Sequence, residues 1–268
     1  MATATGKPSK QRQPQPATSA PGQSAGTRRL VLWAKRCLLW GTLGLLLLPP
    51  LQALLLRYVD PPVTHTMLSV AVRHGLDSGE WRLPDYDWQP LQLLPRHALV
   101  AALSSEDRKF LQHRGFDVAS IRRAWSRLQR NTPGGKVVGG STISQQVARN
   151  VFLWQHRSWL RKGLEAWYTV WLETFVSKER ILEVYLNIAE MGPMVFGLEA
   201  ASQHWYHKPA RLTRPADTAA LIALLPAPAR WRPTDRHVQR RVAWMRSAPA
   251  RLPADFARTP PATTASRK

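Results

Sequence analysis

The chain has 268 residues, enough for one medium-sized domain with appendages, and carries 38 Lys and Arg against 17 Asp and Glu. The formal net charge of +21 indicates an anionic partner, such as nucleic acid, an anionic membrane surface or a phosphorylated substrate. One cysteine, Cys37, excludes an intramolecular disulfide, and the sequence contains no Cys pair or HExxH pattern typical of a metal centre.

The N-terminal region predicts a tail followed by a membrane anchor. Residues 1–29 are rich in Pro, Gln, Ser and Thr and show no apolar periodicity, so a disordered tail is expected. Cys37–Leu56 then runs for 20 residues without a charge. As a helix this run is about 30 Å long, which is the thickness of the hydrocarbon core of a bilayer. We place the transmembrane segment at 30–56.

A cleaved signal peptide is the competing interpretation of this region. The apolar run is long for a signal peptide, and no A-x-A cleavage site follows it. Residues 1–36 contain seven basic residues and no acidic one, a flank typical of the cytoplasmic side of a membrane. The prediction is therefore an uncleaved single-pass anchor, with a cytoplasmic N-terminus and the body of the chain outside the cytoplasm.

Beyond the anchor, the sequence predicts an all-α fold. Residues 57–94 are irregular and predict a connector with one short helix, 95–246 a helical domain, and the Pro- and Thr-rich residues 247–268 a disordered tail. No stretch of strand period follows Arg57. Helices are predicted from Pro95, from Asp117 to about Asn131, and over Ile143–Phe152, Ser158–Ser177, Lys178–Leu186, Glu199–Tyr206, Pro215–Leu225 and Arg236–Arg246.

Ser104–Gly115 places an adjacent carboxylate pair, Glu106 and Asp107, inside a basic cluster. Such a carboxylate can serve as a base while its cationic neighbours hold an anionic substrate. Taken alone, the stretch is more typical of a solvated helix start, in which Ser104 or Ser105 caps the helix and the acids favour the positive end of its dipole.

A glycine-rich loop, residues 132–140, precedes the predicted helix Ile143–Phe152. It lacks the lysine and the preceding strand of a nucleotide-binding loop, so we reject that function. Thr142 and Gln145 instead have the spacing of a capping box. A loop that leads into a helix N-terminus is nonetheless a good place for an anion.

Glu165 is the second carboxylate of interest, because it lies within an aromatic helical run. An i,i+4 ion pair with Arg161, worth a few tenths of a kcal/mol on a surface, is the simplest interpretation. An ion pair on the surface does not require such apolar surroundings, however. Arg157, Arg161 and Lys162 cluster just before Glu165.

Taken in order, these stretches resemble the peptidoglycan glycosyltransferases, and more narrowly their monofunctional biosynthetic members, the peptidoglycan transglycosylases of Gram-negative bacteria. Several ordered motifs with compatible spacing make this more specific than any short pattern. The motifs are SSEDRKFLQHRGFD (104–117), GGSTISQQVARNVFLW (139–154), RKGLEAW (161–167), ERILEVYLNIAE (179–190), VFGLEAAS (195–202) and LLPAPARW (224–231).

The resemblance implies a lysozyme-like helical domain with a membrane-proximal hydrophobic lobe, the jaw. It implies polymerisation of lipid II into β-1,4-linked glycan with release of undecaprenyl pyrophosphate, at the inner membrane and on its periplasmic side. The implied partners are lipid II, the growing glycan, the membrane and other proteins of wall synthesis or division, without nucleic acid. No organic cofactor is implied, and a divalent cation, Mg or Mn, is associated with Glu165.

By the same resemblance, Glu106 is the base that deprotonates the acceptor 4-hydroxyl, and Glu165 is the second catalytic glutamate, near the donor pyrophosphate. Arg149 stands where the family commonly has lysine, and Met191 and Pro193 depart from the family pattern. The remaining matched residues are implied to shape the site or bind substrate: Asp107, Phe110, His113, Ser141, Thr142, Gln146, Arg149, Arg157, Arg161 and Lys162.

Three other functions are weighed against this one. A peptidoglycan-cleaving transglycosylase or muramidase can share the fold and a key glutamate, but the cation set favours a pyrophosphate substrate. A tethered protein that binds nucleic acid or anionic lipid fits the charge but not the predicted topology. A bifunctional penicillin-binding protein is disfavoured by the length and by the absence of Ser-x-x-Lys and Lys-Thr-Gly from the sequence.

Overall fold

The structure is a computed structural model, which describes residues 23–129, 140–156 and 158–256. It divides into two units, Met1–Leu47 and Leu48–Lys268. The first unit consists, where described, of the N-terminal part of helix α1 (Gln23–Tyr58), and the second contains the last part of α1 and everything that follows.

Helix α1 contains the predicted anchor. Within the described part of the chain, Arg29–Tyr58 is the one helical stretch whose length and composition suit a membrane span. The helix starts at Gln23, ahead of the predicted start at residue 30, because each residue added to a formed helix gains a hydrogen bond without needing apolar character. It also continues past Pro49 and Pro50. Of the tail predicted at 1–29, residues 23–29 are helical, and residues 1–22 lie outside the described residues.

The second unit is helical, as predicted. Helix α2 (His65–Ser78) occupies much of the predicted connector at 57–94, and Thr64 caps it by accepting a hydrogen bond from the Met67 amide. The remaining α-helices are α3 (Arg96–Glu106), α4 (Val118–Gln129), α5 (Ile143–Phe152), α6 (Trp159–Phe175), α7 (Lys178–Ile188), α8 (Leu198–Tyr206), α9 (Pro215–Ala223) and α10 (Arg236–Ser247), after α2 (His65–Ser78).

Helix α7 lies at the centre of the core, because nearly all of its side chains from Ile181 to Ile188 are buried. Helix α5 packs against α6 and α7 on one side. Helix α9 packs against α3 and α10 on the other, and α8 contacts both α7 and α9. Three predicted site helices, α3, α5 and α6, are thereby held on a common core.

A small three-stranded sheet was not predicted. Strand β1 (Asp85–Tyr86) pairs in parallel with β3 (Val195–Phe196), which pairs antiparallel with β2 (Glu190–Gly192). Strands this short carry too few residues to show an alternating pattern. The buried Met191 lies in β2, where its carbonyl accepts a hydrogen bond from Trp205 Nε1 at 2.9 Å.

The chain stays packed beyond residue 246, where the predicted domain ends. Arg96 at the start of α3 donates to the carbonyls of Leu252 at 2.9 Å and Pro253 at 2.6 Å. Phe256 is buried in the core. A Pro-rich composition carries no periodic signal, so these long-range contacts were not visible in the sequence. The part of the predicted C-terminal tail at 257–268 lies outside the described residues.

Candidate active site

Glu106 is the last residue of α3, so Ser104–Gly115 forms a helix end and not the helix start considered above. One oxygen of Glu106, Oε2, accepts a hydrogen bond from Gln146 Nε2 at 3.2 Å. The other, Oε1, accepts one from Ser105 Oγ at 2.8 Å and lies 3.6 Å from Arg241 Nη2. The Glu106 side chain is 17% exposed. Neutral donors thus orient a carboxylate that solvent can still reach.

The neighbouring Asp107 has a different role, because it joins the first motif to the second. Its Oδ2 accepts the Ile143 amide at 3.2 Å, at the N-terminus of α5, and both its oxygens lie 3.0 Å from His113 Nε2. Asp107 is buried, and a carboxylate at this position also favours the positive end of the α5 dipole.

The predicted capping box at α5 is confirmed. Thr142 Oγ1 accepts the Gln145 amide at 3.2 Å, and Gln145 Oε1 accepts the Thr142 amide at 3.0 Å. The Thr142 hydroxyl also donates to the Gly115 carbonyl at 2.7 Å. Gly115 has φ +81°, and a Cβ there would lie 2.5 Å from the Thr169 side chain. The positive φ and the close approach of this turn to α6 therefore require glycine.

Three of the residues expected to bind substrate lie below the site's surface. Phe110 is fully buried, with Lys178 Nζ 4.2 Å from its ring centroid. His113 is largely buried against Asp107, and Thr142 is buried at its cap. The expectation of direct substrate contact is corrected for Phe110, since its side chain has no exposed surface. These residues support Glu106 and the start of α5 from beneath.

A cleft of about 490 Å³ opens on one side of Glu106. Its walls bring together residues from α3, α5, α6 and α10, including Gln146, which donates to Glu106. The cleft is lined by Ser105, Glu106, Ser141, Gln146, Arg149, Arg161, Lys162, Glu165, Leu225, Pro226 and Arg241. Four cationic side chains therefore face two carboxylates, which makes this cleft suitable for a multiply charged anion.

Glu165 is fully buried at the base of this cationic cleft. Its Oε2 accepts from Arg161 Nη1 at 2.8 Å, and its Oε1 pairs with Lys162 Nζ. Arg161 is itself buried and also donates to the His156 carbonyl at 3.0 Å, while the Lys162 ammonium donates to Ser141 Oγ at 3.3 Å. The predicted i,i+4 pair exists, but it is a buried pair and not a surface one. Arg157 lies outside the described residues.

A second cleft, of about 340 Å³, is also lined by Glu106. It shares Ser105, Glu106 and Ser141 with the cationic cleft, so Glu106 stands in the wall between the two. Its further lining comes from the first motif, α4 and α10: Ser104, Asp107, Arg108, Lys109, Asp117, Ser120, Gly140, Thr142 and Trp244. The Arg108 guanidinium lies 4.5 Å from the Trp244 ring centroid.

Tyr185 from the central helix α7 lies under the same region. Burial, followed by the Glu106 carboxylate, raises the pKa of the Tyr185 hydroxyl well above its ordinary value. Its oxygen has no hydrogen-bond partner among the residues that the structure describes. The Tyr185 hydroxyl therefore stays neutral.

Sequence reasoning missed several of these residues. Arg241 and Trp244 belong to the predicted basic helix at 236–246, but only packing shows which of its side chains face Glu106. Tyr185 lies in the predicted helix Lys178–Leu186, but that prediction does not show its place near Glu106. Ser105 was considered only as a helix cap.

Among the residues that the structure describes, those around Glu165 do not form a ready-made site for a divalent metal, so the expected Mg or Mn stays a prediction. Over the described ranges, no group of three or more His, Cys, Asp or Glu side chains is placed to hold an ion. Glu165, the expected ligand, already pairs with two cations. Two positive charges at the carboxylate oppose a further one.

Fold and site together define a class: an α-helical enzyme domain with one accessible carboxylate between two clefts, one of them rich in cations. It follows an apolar helix whose length suits a membrane span. Such a site can remove a proton from an incoming group on one side while it holds an anionic group on the other.

Comparisons with known proteins narrow this class. A family model described as transglycosylase matches residues 79–248. The chain is 43% identical to a biosynthetic peptidoglycan transglycosylase of Xanthomonas euvesicatoria pv. vesicatoria over 226 residues, 83% of this chain and 89% of that protein. It is 44% identical over 222 residues to the protein of that name from Stutzerimonas stutzeri, covering 82% and 88%.

The chain belongs to the transglycosylase family. The predicted family, the mainly helical fold and the glycosyltransferase class are thereby confirmed. The apolar helix α1 is consistent with the predicted membrane anchoring.

Proposed function

We propose that this protein polymerises lipid II into β-1,4-linked glycan strands with release of undecaprenyl pyrophosphate. The observation that carries the proposal is the position of Glu106 in the wall shared by a cationic cleft and a second, less charged cleft. Transfer of a sugar from a pyrophosphate to a hydroxyl needs a base between an acceptor site and an anion site.

In this scheme Glu106 is the general base. The acceptor's 4-hydroxyl oxygen forms the new bond to C1 of the donor sugar, while the C1–oxygen bond to pyrophosphate breaks. The hydroxyl proton passes to Glu106, and the bonding electrons leave with the pyrophosphate. Gln146 and Ser105 hold the two oxygens of Glu106 so that their remaining lone pairs are available to the clefts.

The cationic cleft holds the leaving group. Pyrophosphate is already a good leaving group, so neutralising its charge matters more than protonating it. Arg149, Arg161 and Lys162 line the cleft and supply that charge. An arginine at 149 can grip a phosphate with two parallel hydrogen bonds, where a lysine would act as a point charge. No step of this scheme passes through a metal ion.

We assign Glu165 a positioning role within this cleft. Both of its oxygens are bonded to cations, and its side chain is 1% exposed, so it cannot meet a substrate hydroxyl without breaking an ion pair. It fixes Arg161 and Lys162 in one place, which prepares their charge for the pyrophosphate before the substrate arrives.

The place of the reaction follows from α1. Lipid II has a lipid tail, so an enzyme tethered by Arg29–Tyr58 works on a substrate held in the same membrane. We propose that α1 crosses the bacterial inner membrane once and that the catalytic domain is periplasmic. Wall-synthesis or division proteins are further proposed partners, and nucleic acid is not.

The test is polymerisation of labelled lipid II by the purified full-length chain in detergent. Glu106→Gln should lower the rate of glycan formation by about 10²–10⁴, since that is the usual contribution of a positioned base. Glu179→Gln, at an exposed position on α7, is the matched control and should leave the rate unchanged.

Two outcomes would contradict the proposal. An undiminished polymer yield with Glu106→Gln would contradict the assignment of Glu106 as the general base. Release of soluble muropeptides from intact sacculi, without polymer from lipid II, would show the peptidoglycan-cleaving activity instead.

A further inference from the structure

The C-terminal helix α10 lies beyond the six motifs that resemble the family, yet it reaches the base. It packs against α9 and α3, with Val238, Val242 and Met245 buried. This packing places Arg241, on the same helix, beside the last turn of α3. The exposed neighbour Arg240 points away to solvent.

Arg241 contacts Glu106 both through Ser105 and directly. Its Nη2 donates to Ser105 Oγ at 2.9 Å, and Ser105 Oγ donates to Glu106 Oε1 at 2.8 Å. The distance from Arg241 Nη2 to Glu106 Oε1 is 3.6 Å. The three side chains thus form a short hydrogen-bonded series that ends on one carboxylate oxygen of Glu106.

The direction of the hydrogen bond from Ser105 to Glu106 follows from which groups can donate and which can accept. A hydroxyl has one proton to donate, and a guanidinium can only donate. Because Arg241 occupies an acceptor lone pair of Ser105, the single hydroxyl proton is free to point to Glu106. Without Arg241 the hydroxyl can rotate to other acceptors, and Glu106 Oε1 loses its fixed partner.

Glu106 needs such help because of its place in the fold. It ends α3, where the last carbonyls of the helix present partial negative charge. A carboxylate is disfavoured there unless donors hold it. Gln146 holds Oε2 at 3.2 Å from the side of α5, which leaves Oε1 to the Ser105–Arg241 pair.

We infer that Arg241 is a positioning residue for Glu106, acting chiefly through Ser105, so that α10 completes the catalytic site. The inference rests on the proposed function, in which Glu106 is the base. The competing role for Arg241, as one of the side chains lining the cationic cleft, is direct binding of the substrate's pyrophosphate.

Steady-state polymerisation of labelled lipid II separates these roles. The full-length variants are Arg241→Ala, Ser105→Ala, their double variant and Arg241→Lys, with Arg240→Ala as the matched control. Positioning predicts that Arg241→Ala and Ser105→Ala each lower kcat by about 10- to 100-fold at unchanged KM, the scale of a lost hydrogen bond to a charged group. The double variant should lose no more than Arg241→Ala alone, because both changes remove the same support.

The conservative variant provides the second readout. Lysine keeps the charge but not the planar fork, so Arg241→Lys should recover part of the kcat lost in Arg241→Ala. Thermal unfolding of each variant accompanies the kinetics. If Arg241→Ala does not fold, Ser105→Ala and Arg241→Lys still decide the question, because both leave the packing of Val238 and Val242 intact.

Several results would overturn the inference. One is a raised KM with kcat unchanged in Arg241→Ala, which would assign Arg241 to substrate binding. Others are losses that multiply in the double variant, or an equal loss in Arg240→Ala. Wild-type protein that forms no polymer would contradict the proposed function itself, before any variant is compared.

Discussion

Glu106 and Glu165 line the same cationic cleft, but the fold holds them in opposite ways. Glu165 is 1% exposed and its oxygens pair with Arg161 and Lys162. Glu106 is 17% exposed, it accepts hydrogen bonds from the neutral Gln146 and Ser105, and the Arg241 guanidinium lies 3.6 Å from it. This difference in exposure and partners shows that a glutamate side chain can serve two different functions. A buried, fully paired carboxylate organises cations, whereas an accessible one held by neutral donors can accept a proton.

The largest effect expected from this comparison is on stability. Glu165→Ala leaves the buried Arg161 without its charged partner, which should lower the free energy of unfolding by about 3–5 kcal/mol. Glu106→Ala leaves no buried cation without its main partner. It should therefore lower the free energy of unfolding by about 1 kcal/mol or less. Urea unfolding of the two full-length variants in detergent measures both values. Equal losses would contradict the division of roles.

A third glutamate, Glu190, extends the comparison to a carboxylate on which burial has the largest effect. Burial raises the pKa of Glu190 to about 7, and Arg73 opposes the shift. The folded state then keeps the proton up to about pH 7, while the unfolded state releases it near the ordinary glutamate pKa of 4.5. The contribution of Glu190 to stability should therefore be fully present below pH 4.5 and be lost as the pH rises to about 7, by about 3 kcal/mol at most.

Glu190→Gln removes this titration. Its free energy of unfolding should not fall between pH 4.5 and 7 as that of the wild-type chain does. Urea unfolding at a series of pH values, on both proteins, is the measurement. Parallel curves for the two proteins would show that Glu190 ionises alike in the folded and unfolded states.

The smallest expected effect concerns Gln146, a neutral hydrogen-bond donor to the Glu106 carboxylate. Gln146→Leu removes the donor to Glu106 Oε2 and should lower kcat for glycan formation by about tenfold, since a hydrogen bond to a charged group contributes about 1.5 kcal/mol or more. Gln146 lies half-buried on α5, so the fold should tolerate leucine. Polymerisation of labelled lipid II measures the loss. No change in kcat would mean that Ser105 and Arg241 alone orient Glu106.

Part of the site could be predicted because it depends on local sequence. The capping box at Thr142 and the pairing of Arg161 with Glu165 both join residues three or four apart, and both are present. The bounds of α5, Ile143–Phe152, agree with the prediction for the same reason. The depth of Phe110 could not be predicted locally, because the burial of one aromatic side chain depends on helices far away in the sequence.

Composition, period and short spacing were enough to predict the helical class and the apolar anchor and to single out the two glutamates, whose catalytic roles the family resemblance implied. How those glutamates differ became visible only in the folded chain. The access of Glu106 to two clefts, the burial of Glu165 and the arrival of Arg241 from α10 each depend on packing between segments far apart in the chain. A pattern of neighbours specifies which helices form, but the surroundings of a carboxylate are set by the helices that pack around it.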